Sequence, residues 1–449
     1  MDRRDFLKTA GAGVAAVGAF SVTGCVSGNK NKGQGEAGEG KMETRPAPKN
    51  GGQVSLLGYG CMRWPMKKDK DGKDQIDQDA VNEMVDYAYK HGVNYYDTSP
   101  AYLQGQSEAA AGIALSRYPR DSYYIATKLS NFNNSSREAS LKMYYDSMEA
   151  LKTDYFDYYL LHAIGFSYEV FEERYIKNGL MDFLMAEREA GRIRNLGFSF
   201  HGKKEVFDIF MNLHEKYHWD FVQIEMNYVD WKHAKAPDNV NADYLYAELM
   251  KRNIPATIME PLLGGRLAKL PVAIASTLKE REPEKSIASW AFRFCGSYPG
   301  ILTVLSGMSS MDPLIENVET FSHFKPLTEE EISFLQEMAD LMEDYPTIPC
   351  TACTYCMPCP YGIDIPTIFR HYNDAVNAGD IAQSHEQKDF QRLKRRYLVS
   401  YDRAVATVRQ ADHCIGCGQC KSHCPQSIDI PRMLHRIDAY IEKLRRETL

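Results

Sequence analysis

The stretch NYYDTSPAY, residues 94–102, begins with a short aromatic run that ends on an acidic residue. The same arrangement recurs in YIATK, residues 124–128, and in FDYYLLH, residues 156–162, where a basic residue closes each run. The residues that close the three runs are Asp97, Lys128 and His162. They are 31 and 34 residues apart (128 − 97 and 162 − 128), which is enough chain for a strand, a loop and a crossover helix. Strand–helix alternation of this kind predicts a parallel sheet.

Between residues 53 and 326 the same alternation of apolar runs and amphipathic stretches predicts eight strands. They are Val54–Tyr59, Asn94–Thr98, Tyr123–Lys128, Phe156–His162, Asn195–Phe200, Val222–Met226, Ala256–Glu260 and Ile301–Ser306. Eight such units in about 270 residues match an α/β fold of the (β/α)8 TIM-barrel type, whose catalytic residues lie at the C-terminal ends of the strands. A doubly wound sheet is the alternative, but no Gly-x-Gly-x-x-Gly turn follows the first predicted strand.

Polar residues at or just after these strand ends form a candidate catalytic set. They are Asp97, Tyr102, Lys128 and His162. The flanking residues are apolar, so Lys128 and Asp97 would need each other as ion partners. An ammonium group beside Tyr102 is predicted to lower the pKa of the phenol, and His162 would hydrogen-bond a substrate oxygen. Each residue alone is explained as well by a salt bridge or a satisfied polar group at the barrel rim, but together they predict a proton donor for carbonyl chemistry.

Eight of the eleven cysteines fall in two runs near the C-terminus, and a proline follows each run. The first run is Cys350, Cys353, Cys356 and Cys359, and the second is Cys414, Cys417, Cys420 and Cys424. The second run is the bacterial ferredoxin pattern C-x2-C-x2-C-x3-C-P, in which the fourth cysteine ligates the other cluster. The first run is one residue shorter before its last cysteine.

This spacing predicts two [4Fe–4S] clusters with crossed ligands. Three cysteines of each run would bind one cluster together with the last cysteine of the other run, so Cys424 joins the first three and Cys359 joins the second three. A single cluster, paired disulfides and a four-thiolate zinc site remain as alternatives. The segments around the runs have helical periodicity, so residues 327–449 are predicted to form a small α-helical ferredoxin-type domain.

The composition, with 44% hydrophobic and 25% charged residues, is that of a globular protein. The formal net charge of −7 and the pI near 6.0 argue against a nucleic-acid partner, which would require a basic face. The exception is a short basic run at residues 392–396. A solvated helix face explains this run better than a docking patch does.

The N-terminal residues are predicted to lie outside the fold. Residues 1–25 read as a twin-arginine export signal around Arg3 and Arg4, and Cys25 ends a stretch that resembles a lipobox. Residues 26–52 are rich in Gly, Lys, Glu and Pro and are predicted to be a flexible linker. We therefore expect the twin-arginine translocase as a partner and a periplasmic or membrane-anchored lipoprotein, with ordinary cleavage near Cys25 as the alternative to lipidation.

Several segments of the predicted barrel resemble the signature segments of the aldo-keto reductase family. They are Gly58–Arg63, Tyr96–Tyr102, Ala126–Lys128, Asp157–His162, Gly197–Ser199, Met259–Leu262 with Gly264 and Gly265, and Ser306–Ser309. The likeness covers about residues 54–324. Together with the cysteine runs, the chain is similar to members that carry a C-terminal ferredoxin-like extension.

The resemblance implies hydride transfer between a nicotinamide cofactor, NADP or NAD, and the carbonyl carbon of an aldehyde or ketone. It implies that Tyr102 is the general acid, that Lys128 and Asp97 tune it, and that His162 orients the carbonyl. The residues it implies for cofactor binding are Gly60, Met62, Ser199, Gln223, Pro261, Leu262, Gly264, Leu267, Ser306, Gly307, Met308 and Asn317. Among them, Ser199 and Gln223 would hold the carboxamide.

Two departures from the family pattern affect the cofactor prediction. Phe200 stands where many members have an asparagine that helps to hold the carboxamide, and Gly307 and Pro313 stand where cations usually meet a 2′-phosphate. The chain is therefore expected to accept NAD(H) or to bind its dinucleotide through other groups. Two functions remain open: a carbonyl oxidoreductase coupled to iron–sulfur electron transfer and a redox partner protein, or an electron-transfer or sensing module whose barrel binds a dinucleotide with little turnover.

Overall fold

The computed structural model describes residues 40–49, 51–234 and 239–449. Its centre is a closed barrel in which each strand pairs in parallel with the next along the chain, and the last strand pairs with the first. The eight strands are Leu57–Gly60, Tyr95–Asp97, Tyr124–Leu129, Phe156–Leu161, Ile193–Phe200, Phe221–Glu225, Ala256–Met259 and Ile301–Ser306. The predicted (β/α)8 barrel is therefore confirmed, and the doubly wound alternative is wrong.

Aromatic and aliphatic side chains fill the inside of the barrel. Tyr95, Tyr158 and Phe221 are fully buried there with Leu302. The other side chains of the strands face the surrounding helices and form the large outer core. Because strands buried on both faces need apolar residues at nearly every position, the polar residues at the strand ends stand out in the sequence.

Helices surround the barrel and alternate with its strands. Those of at least eight residues are Gln78–Lys90, Ser107–Leu115, Arg137–Leu151, Leu180–Glu189, Lys204–Asn212, Ala242–Met250, Val272–Arg281, Ile287–Gly296, Met311–Ser322 and Glu329–Met342. The shorter helices are Tyr168–Phe171, His214–Tyr217 and Asp230–His233. Side chains cap several helix starts, as Asp77 does by accepting a hydrogen bond from the backbone N–H of Ala80.

A β-hairpin covers the N-terminal end of the barrel. Its strands, Thr44–Pro46 and Gln53–Ser55, pair antiparallel, and the side chain of Asn94 hydrogen-bonds to the second of them. The prediction of a flexible linker is wrong for residues 44–46, because Met42 is buried in the barrel core and anchors this segment. A second hairpin, Met66–Lys68 with Asp74–Ile76, follows the first barrel strand.

The helix Glu329–Met342 packs on the barrel, although the sequence assigns it to the C-terminal domain. Its residues Leu335 and Met338 belong to the same core as the barrel helices. The helix begins with a capping box formed by Thr328 and Glu331. The hydrophobic core of the C-terminal domain is separate from that of the barrel and begins after this helix, with Ile348 as its first buried residue.

The C-terminal domain has three longer helices around its own apolar core. They are Ile365–Asn377, Phe390–Ala404 and Ile430–Arg446. The first and third helices each follow a cysteine run and begin in the same way, with an aspartate cap, Asp364 or Asp429, followed by Ile-Pro. The backbone N–H groups of the first turn have no partner within a helix, so a proline there removes no hydrogen bond. The aspartate and the proline together define where the helix begins after each cysteine run.

The predicted signal segment, including Cys25, and residues 26–39 of the predicted linker lie outside the described residues. Within residues 40–49, 51–234 and 239–449, no helix is long and apolar enough to cross a membrane.

Candidate active site

A buried ion pair forms the floor of the site at the C-terminal end of the barrel. Lys128 is fully buried, and its Nζ lies 2.5 Å from Oδ1 of Asp97 and 2.8 Å from the carbonyl oxygen of Thr98. Gln223 donates to the other carboxylate oxygen of Asp97 over 3.1 Å. Both charges are therefore paired and hydrogen-bonded, which is the condition for keeping them out of water.

Tyr102 lies beside this pair, with Nζ of Lys128 5.0 Å from the centre of its ring. Burial, followed by the charge of Asp97, raises the pKa of Tyr102 well above its usual range. The prediction that Lys128 lowers this pKa is wrong, because Asp97 compensates the ammonium charge and the apolar surroundings disfavour a phenolate. The phenol is therefore protonated at neutral pH. Its hydroxyl makes no hydrogen bond to any described residue, and it faces a cavity.

The ring of His162 packs edge-to-face with that of Tyr102, with ring centres 6.0 Å apart and planes at 85°. Its Nδ1 is 2.6 Å from the hydroxyl of Ser130 and 3.3 Å from that of Ser99. Burial and the charges of Lys128 and Arg174 lower the pKa of His162 well below its usual range, so the imidazole is neutral. Nε2 has no partner among the described residues, which leaves it for a ligand in the cavity.

The cavity above these side chains has a volume of about 240 Å³. Asp97, Tyr102 and His162 line it, whereas Lys128 lies below it. Of the predicted cofactor residues, Gly60, Met62, Ser199, Gln223, Pro261, Leu262, Gly264, Ser306 and Gly307 also line it. The strand ends therefore bring most of the predicted site together around one space.

Three predicted cofactor residues lie elsewhere. Leu267 and Met308 are buried in the barrel core, because the turns that carry them point their side chains inward. Their side chains therefore do not face the cavity, and a role of these two residues in cofactor binding stays a prediction. Asn317 is buried behind the cavity, where it donates to the hydroxyl of Ser306 over 3.0 Å and can only position that residue.

The residues around the cavity fit the nicotinamide end of a dinucleotide. Ser199 and Gln223 line the cavity with polar side chains, as carboxamide recognition requires, and Gln223 also donates to Asp97. Beyond them lies the turn at Gly265, which has φ +95°. No atom lies within 4 Å of the point that a Cβ would occupy at this residue, so the turn is open to a ligand. At Gly264 the Cβ position is only 2.3 Å from Cα of Thr351, so the C-terminal domain closes over the turn there.

Arg63 is a site residue that the sequence analysis missed. It lines the cavity, its Cδ lies 3.2 Å from the Cβ position of Gly307, and it donates to the carbonyl oxygen of Thr351 over 2.7 Å. It thereby supplies a cation near the loop in which the family's usual cations are absent. Its position in the quoted segment Gly58–Arg63 was the only signal for it.

Three carboxyl groups lie near the cavity: Glu260 lines it, and Glu225 and Asp230 line a smaller neighbouring pocket. Burial, followed by the charge of Glu260, raises the pKa of Glu225 to about 7, and burial also raises the pKa of Glu260 and Asp230. Gln426 of the C-terminal domain donates to Glu225 over 2.9 Å. This contact ties the second cysteine run to the barrel, and nothing in the local sequence of either residue predicts it.

The C-terminal domain forms the roof of the cavity. Its lining residues are Cys353, Tyr355, Pro425 and Gln426. Two of them follow the second cysteine run directly, and the other two lie inside the first run. The candidate active site is therefore composite, with catalytic groups from the barrel and a roof from the cysteine-bearing domain.

The eight cysteines of the two runs divide into two sets in the way that crossed ligands require. We call Cys350, Cys353, Cys356 and Cys424 the proximal set, because they line one apolar cavity next to the barrel. We call Cys359, Cys414, Cys417 and Cys420 the distal set. Burial and the thiolates of Cys359, Cys414 and Cys417 raise the pKa of Cys420 to about 11, which shows that these four side chains lie near one another.

The donor chemistry of both sets fits [4Fe–4S] clusters. The ten cysteines among the described residues are free thiols, so the runs are not paired as disulfides. No group of three or more His, Cys, Asp or Glu side chains within the described ranges converges tightly enough to hold a single ion. A zinc site would require such convergence, whereas a [4Fe–4S] cluster binds each cysteine at a different iron and keeps the sulfurs apart.

A parallel barrel with a buried ion pair, a phenol and a neutral imidazole at one cavity, joined to two four-cysteine sets, defines a two-module oxidoreductase. A profile of the Aldo/keto reductase family matches residues 56–340, and one of a 4Fe-4S dicluster domain matches residues 349–428. The chain belongs to the aldo/keto reductase family and carries a C-terminal 4Fe-4S dicluster domain.

Similar proteins have related names. The chain is 37% identical to D-arabinose 1-dehydrogenase of Saccharomyces cerevisiae over 101 residues. This aligned stretch covers 21% of this chain and only 30% of that enzyme. It is 25% identical to L-galactose dehydrogenase of Arabidopsis thaliana over 310 residues, 64% of this chain and 90% of the enzyme. The fold is similar to that of holo aldo-keto reductase AKR11C1 from Bacillus halodurans, with a TM-score of 0.53, 21% identity and coverage of 66% and 96% of the two chains.

Proposed function

We propose that this protein interconverts a small aldehyde or ketone with the corresponding alcohol, using a nicotinamide cofactor in the barrel and iron–sulfur clusters in the C-terminal domain. The observation that carries the proposal is a pair of groups without protein partners at one cavity. The hydroxyl of Tyr102 and Nε2 of His162 both face this space, and neither bonds to any residue that the structure describes. Two hydrogen-bonding groups of this kind suit a carbonyl oxygen.

The barrel residues would handle the proton. Tyr102 holds its proton at neutral pH and would give it to the carbonyl oxygen as that oxygen gains negative charge. His162 is neutral, and with a hydroxyl proton from Ser130 or Ser99 directed at Nδ1, its Nε2–H would point at the same oxygen. The ammonium of Lys128, paired with Asp97, lies over the ring of Tyr102 and would hold the phenol in position at the cavity.

Ser199 and Gln223 would hold the nicotinamide carboxamide, and the turn around Gly265 would receive the phosphates near Arg63. When bound, the nicotinamide supplies or accepts a hydride and the clusters carry single electrons. The proximal and distal cysteine sets would hold one cluster each.

The names of two relatives suggest the class of substrate. D-arabinose 1-dehydrogenase and L-galactose dehydrogenase are sugar dehydrogenases by name. The cavity has hydrogen-bonding side chains on several sides, among them Glu260, His201 and Gln426, as a polyhydroxylated ligand requires. We therefore propose a monosaccharide or a similar small hydroxylated carbonyl compound as the substrate.

One observation favours a second candidate function, an electron-transfer or sensing module with little turnover. Thr351 lies against the turn at Gly264, so a dinucleotide could exchange only if the C-terminal domain moved. A cofactor held in this way would act as a resident group rather than as a co-substrate. Mass spectrometry of small molecules released from the purified protein distinguishes the two, because a resident dinucleotide would be recovered in about one copy per chain.

We also propose export through the twin-arginine route, with a lipid anchor at Cys25, on the basis of the N-terminal sequence. A redox partner would meet the protein at the distal cysteine set, because Cys417 is exposed there. Cell fractionation of the full chain, compared with a variant in which Arg3 and Arg4 are both changed to Lys, tests export. Retention of the variant in the cytoplasm is the expected result, and equal export of both proteins would contradict the proposal.

The central experiment uses the full-length protein purified without oxygen. Oxidation of D-arabinose and L-galactose with NAD⁺ or NADP⁺, and their reduction with NADH or NADPH, are followed in the wild type and in Tyr102→Phe. We expect the variant to be slower by at least about 100-fold, the usual loss when a positioned general acid is removed. An equal rate in the two proteins, or no turnover of either sugar by the wild type, would contradict the proposed function.

A further inference from the structure

The position of the roof is fixed by polar contacts between the two modules. Arg63 of the barrel donates to the carbonyl oxygen of Thr351, and Arg266 donates to the hydroxyl of Thr347 over 3.0 Å. On the opposite side, Gln426 donates to Glu225 over 2.9 Å. These contacts flank the cavity, so the roof residues are held in place over Tyr102 and His162.

Tyr355 is the aromatic residue of this roof. It lies between Cys353 and Cys356 in the first cysteine run and lines the same cavity as Tyr102. The hydroxyl of Tyr355 makes no hydrogen bond to any residue of the described ranges, and it is open to the cavity.

Two phenols thus share one space without a protein partner for either hydroxyl. Both hydroxyls are therefore open to this cavity, so a ligand in it can offer a hydrogen-bond partner to each. Tyr102 meets the reacting carbonyl under the proposed function. Tyr355 enters the cavity from the roof and not from a strand end, so we assign to it a group of the substrate other than the carbonyl that Tyr102 meets.

The size of the cavity limits that substrate. The cavity has a volume of about 240 Å³, below the usual 300–1,000 Å³ of ligand pockets, and under the proposed function the nicotinamide end of the cofactor takes part of it. A compact molecule with hydroxyl groups next to its carbonyl satisfies both the volume and the number of hydrogen-bonding groups around the space.

We infer that Tyr355 is a substrate-binding residue, supplied to the barrel by the cluster-binding domain, and that it recognises a hydroxyl group of a monosaccharide-sized carbonyl compound. This inference rests on the proposed function and extends it to the C-terminal domain. The first cysteine run then has two tasks, since it provides three thiolates of the proximal set and one wall of the substrate site.

The test compares Tyr355→Phe with Tyr361→Phe, because Tyr361 is the exposed tyrosine just after the same run. Binding of D-arabinose and L-galactose to the full-length protein is measured by titration calorimetry without oxygen, and iron content checks that each variant is intact. We expect Tyr355→Phe to bind both sugars about tenfold more weakly, the usual effect of losing one hydrogen bond, and Tyr361→Phe to match the wild type.

Equal affinities in all three proteins would overturn the inference, and so would a wild type that binds neither sugar. A wild type that binds the sugars but does not convert them, together with a weakened Tyr355→Phe, would support this inference and contradict the proposed carbonyl chemistry. Binding therefore tests Tyr355, and turnover in Tyr102→Phe tests the proposed function separately.

Discussion

The two cysteine sets have nearly the same sequence pattern but very different surroundings. In the proximal set, Cys353 lines the cavity that contains the catalytic groups of the barrel. In the distal set, Cys417 is exposed, and the neighbouring Ile415 and Val408 are 65% and 74% exposed. Two runs with nearly the same pattern therefore lie in different environments, since one set faces the candidate active site and the other faces solvent.

Ion pairs near the candidate active site and near the distal set also differ in how far they are buried. The pair Lys128–Asp97 is almost completely buried at the barrel end, whereas the pair Lys421–Asp429 near the distal set has side chains that are 50% and 45% exposed. Removing one partner of a buried pair leaves an uncompensated charge out of water, but removing one partner of an exposed pair does not. Matched substitutions at the two pairs therefore measure how far the two ends differ.

The largest effect is expected from Lys128→Met. It leaves Asp97 buried without its cation and should lower the free energy of unfolding by about 3–5 kcal/mol, whereas Lys421→Met should cost at most about 1 kcal/mol. Urea denaturation of the full-length protein without oxygen measures both. Similar losses in the two variants would mean that Lys128 and Asp97 are not isolated from water in the way described above.

The next largest effect is a pH dependence of stability that arises at Glu225, where the C-terminal domain contacts the barrel through Gln426. Burial raises the pKa of Glu225 to about 7, so the folded protein keeps a proton that the unfolded chain releases above an ordinary carboxyl pKa. Stability should therefore fall as the pH rises from about 5.5 to 7, by up to about 2 kcal/mol from this group, and then level off. Glu225→Gln should make the slope shallower, while Glu108, whose pKa burial also raises to about 7, keeps part of it.

Urea midpoints between pH 5.5 and 8.5 check this prediction. Glu284→Gln is the control, because Glu284 is exposed on the surface of the barrel module. Its slope should equal that of the wild type. A slope in Glu225→Gln that equals the wild-type slope would show that this carboxyl titrates normally and that Gln426 does not hold it in a dry interface.

A smaller effect is expected when one cysteine of each set is changed. Cys353→Ser and Cys417→Ser should each leave about four iron atoms per chain instead of about eight. Only Cys353→Ser alters a wall of the cavity, so only this variant should bind D-arabinose and L-galactose more weakly, by about tenfold. Iron analysis and calorimetry measure both quantities. Equal sugar binding in the two variants would remove the distinction between the sets.

The smallest effect is expected from Ile415→Ser beside the distal set. An isoleucine that is 65% exposed contributes little buried surface, so its loss should change the free energy of unfolding by less than about 0.5 kcal/mol and leave the iron content unchanged. Denaturation and iron analysis check this. A loss of more than 1 kcal/mol would indicate that this end of the domain is covered.

The sequence predicted the elements that repeat at a fixed spacing. The barrel followed from apolar runs that end on Asp97, Lys128 and His162, because parallel strands all bring their C-terminal ends to the same rim. The division of the cysteines into two sets follows the ferredoxin pattern, in which the last cysteine of each run binds the other cluster. Both predictions depend on local spacing, which the sequence shows directly.

The sequence could not predict contacts between modules that are far apart in the chain. Tyr355 is 253 residues from Tyr102 (355 − 102), yet both line one cavity, and Gln426 donates a hydrogen bond to Glu225 from 201 residues away (426 − 225). The pKa of Tyr102 was predicted in the wrong direction for a related reason. It depends on burial and on the compensation of Lys128 by Asp97, and neither is visible before the chain is folded.

The central claim is that the proximal cysteine set forms a wall of the substrate site and the distal set does not. The most direct measurement is the electron paramagnetic resonance spectrum of the reduced protein, with and without D-arabinose, in variants that retain one set each. In Cys417→Ser, which keeps the proximal set, the sugar should shift the cluster spectrum, and in Cys353→Ser, which keeps the distal set, it should not. A shift in the distal set alone, or no shift in either variant, would contradict the account.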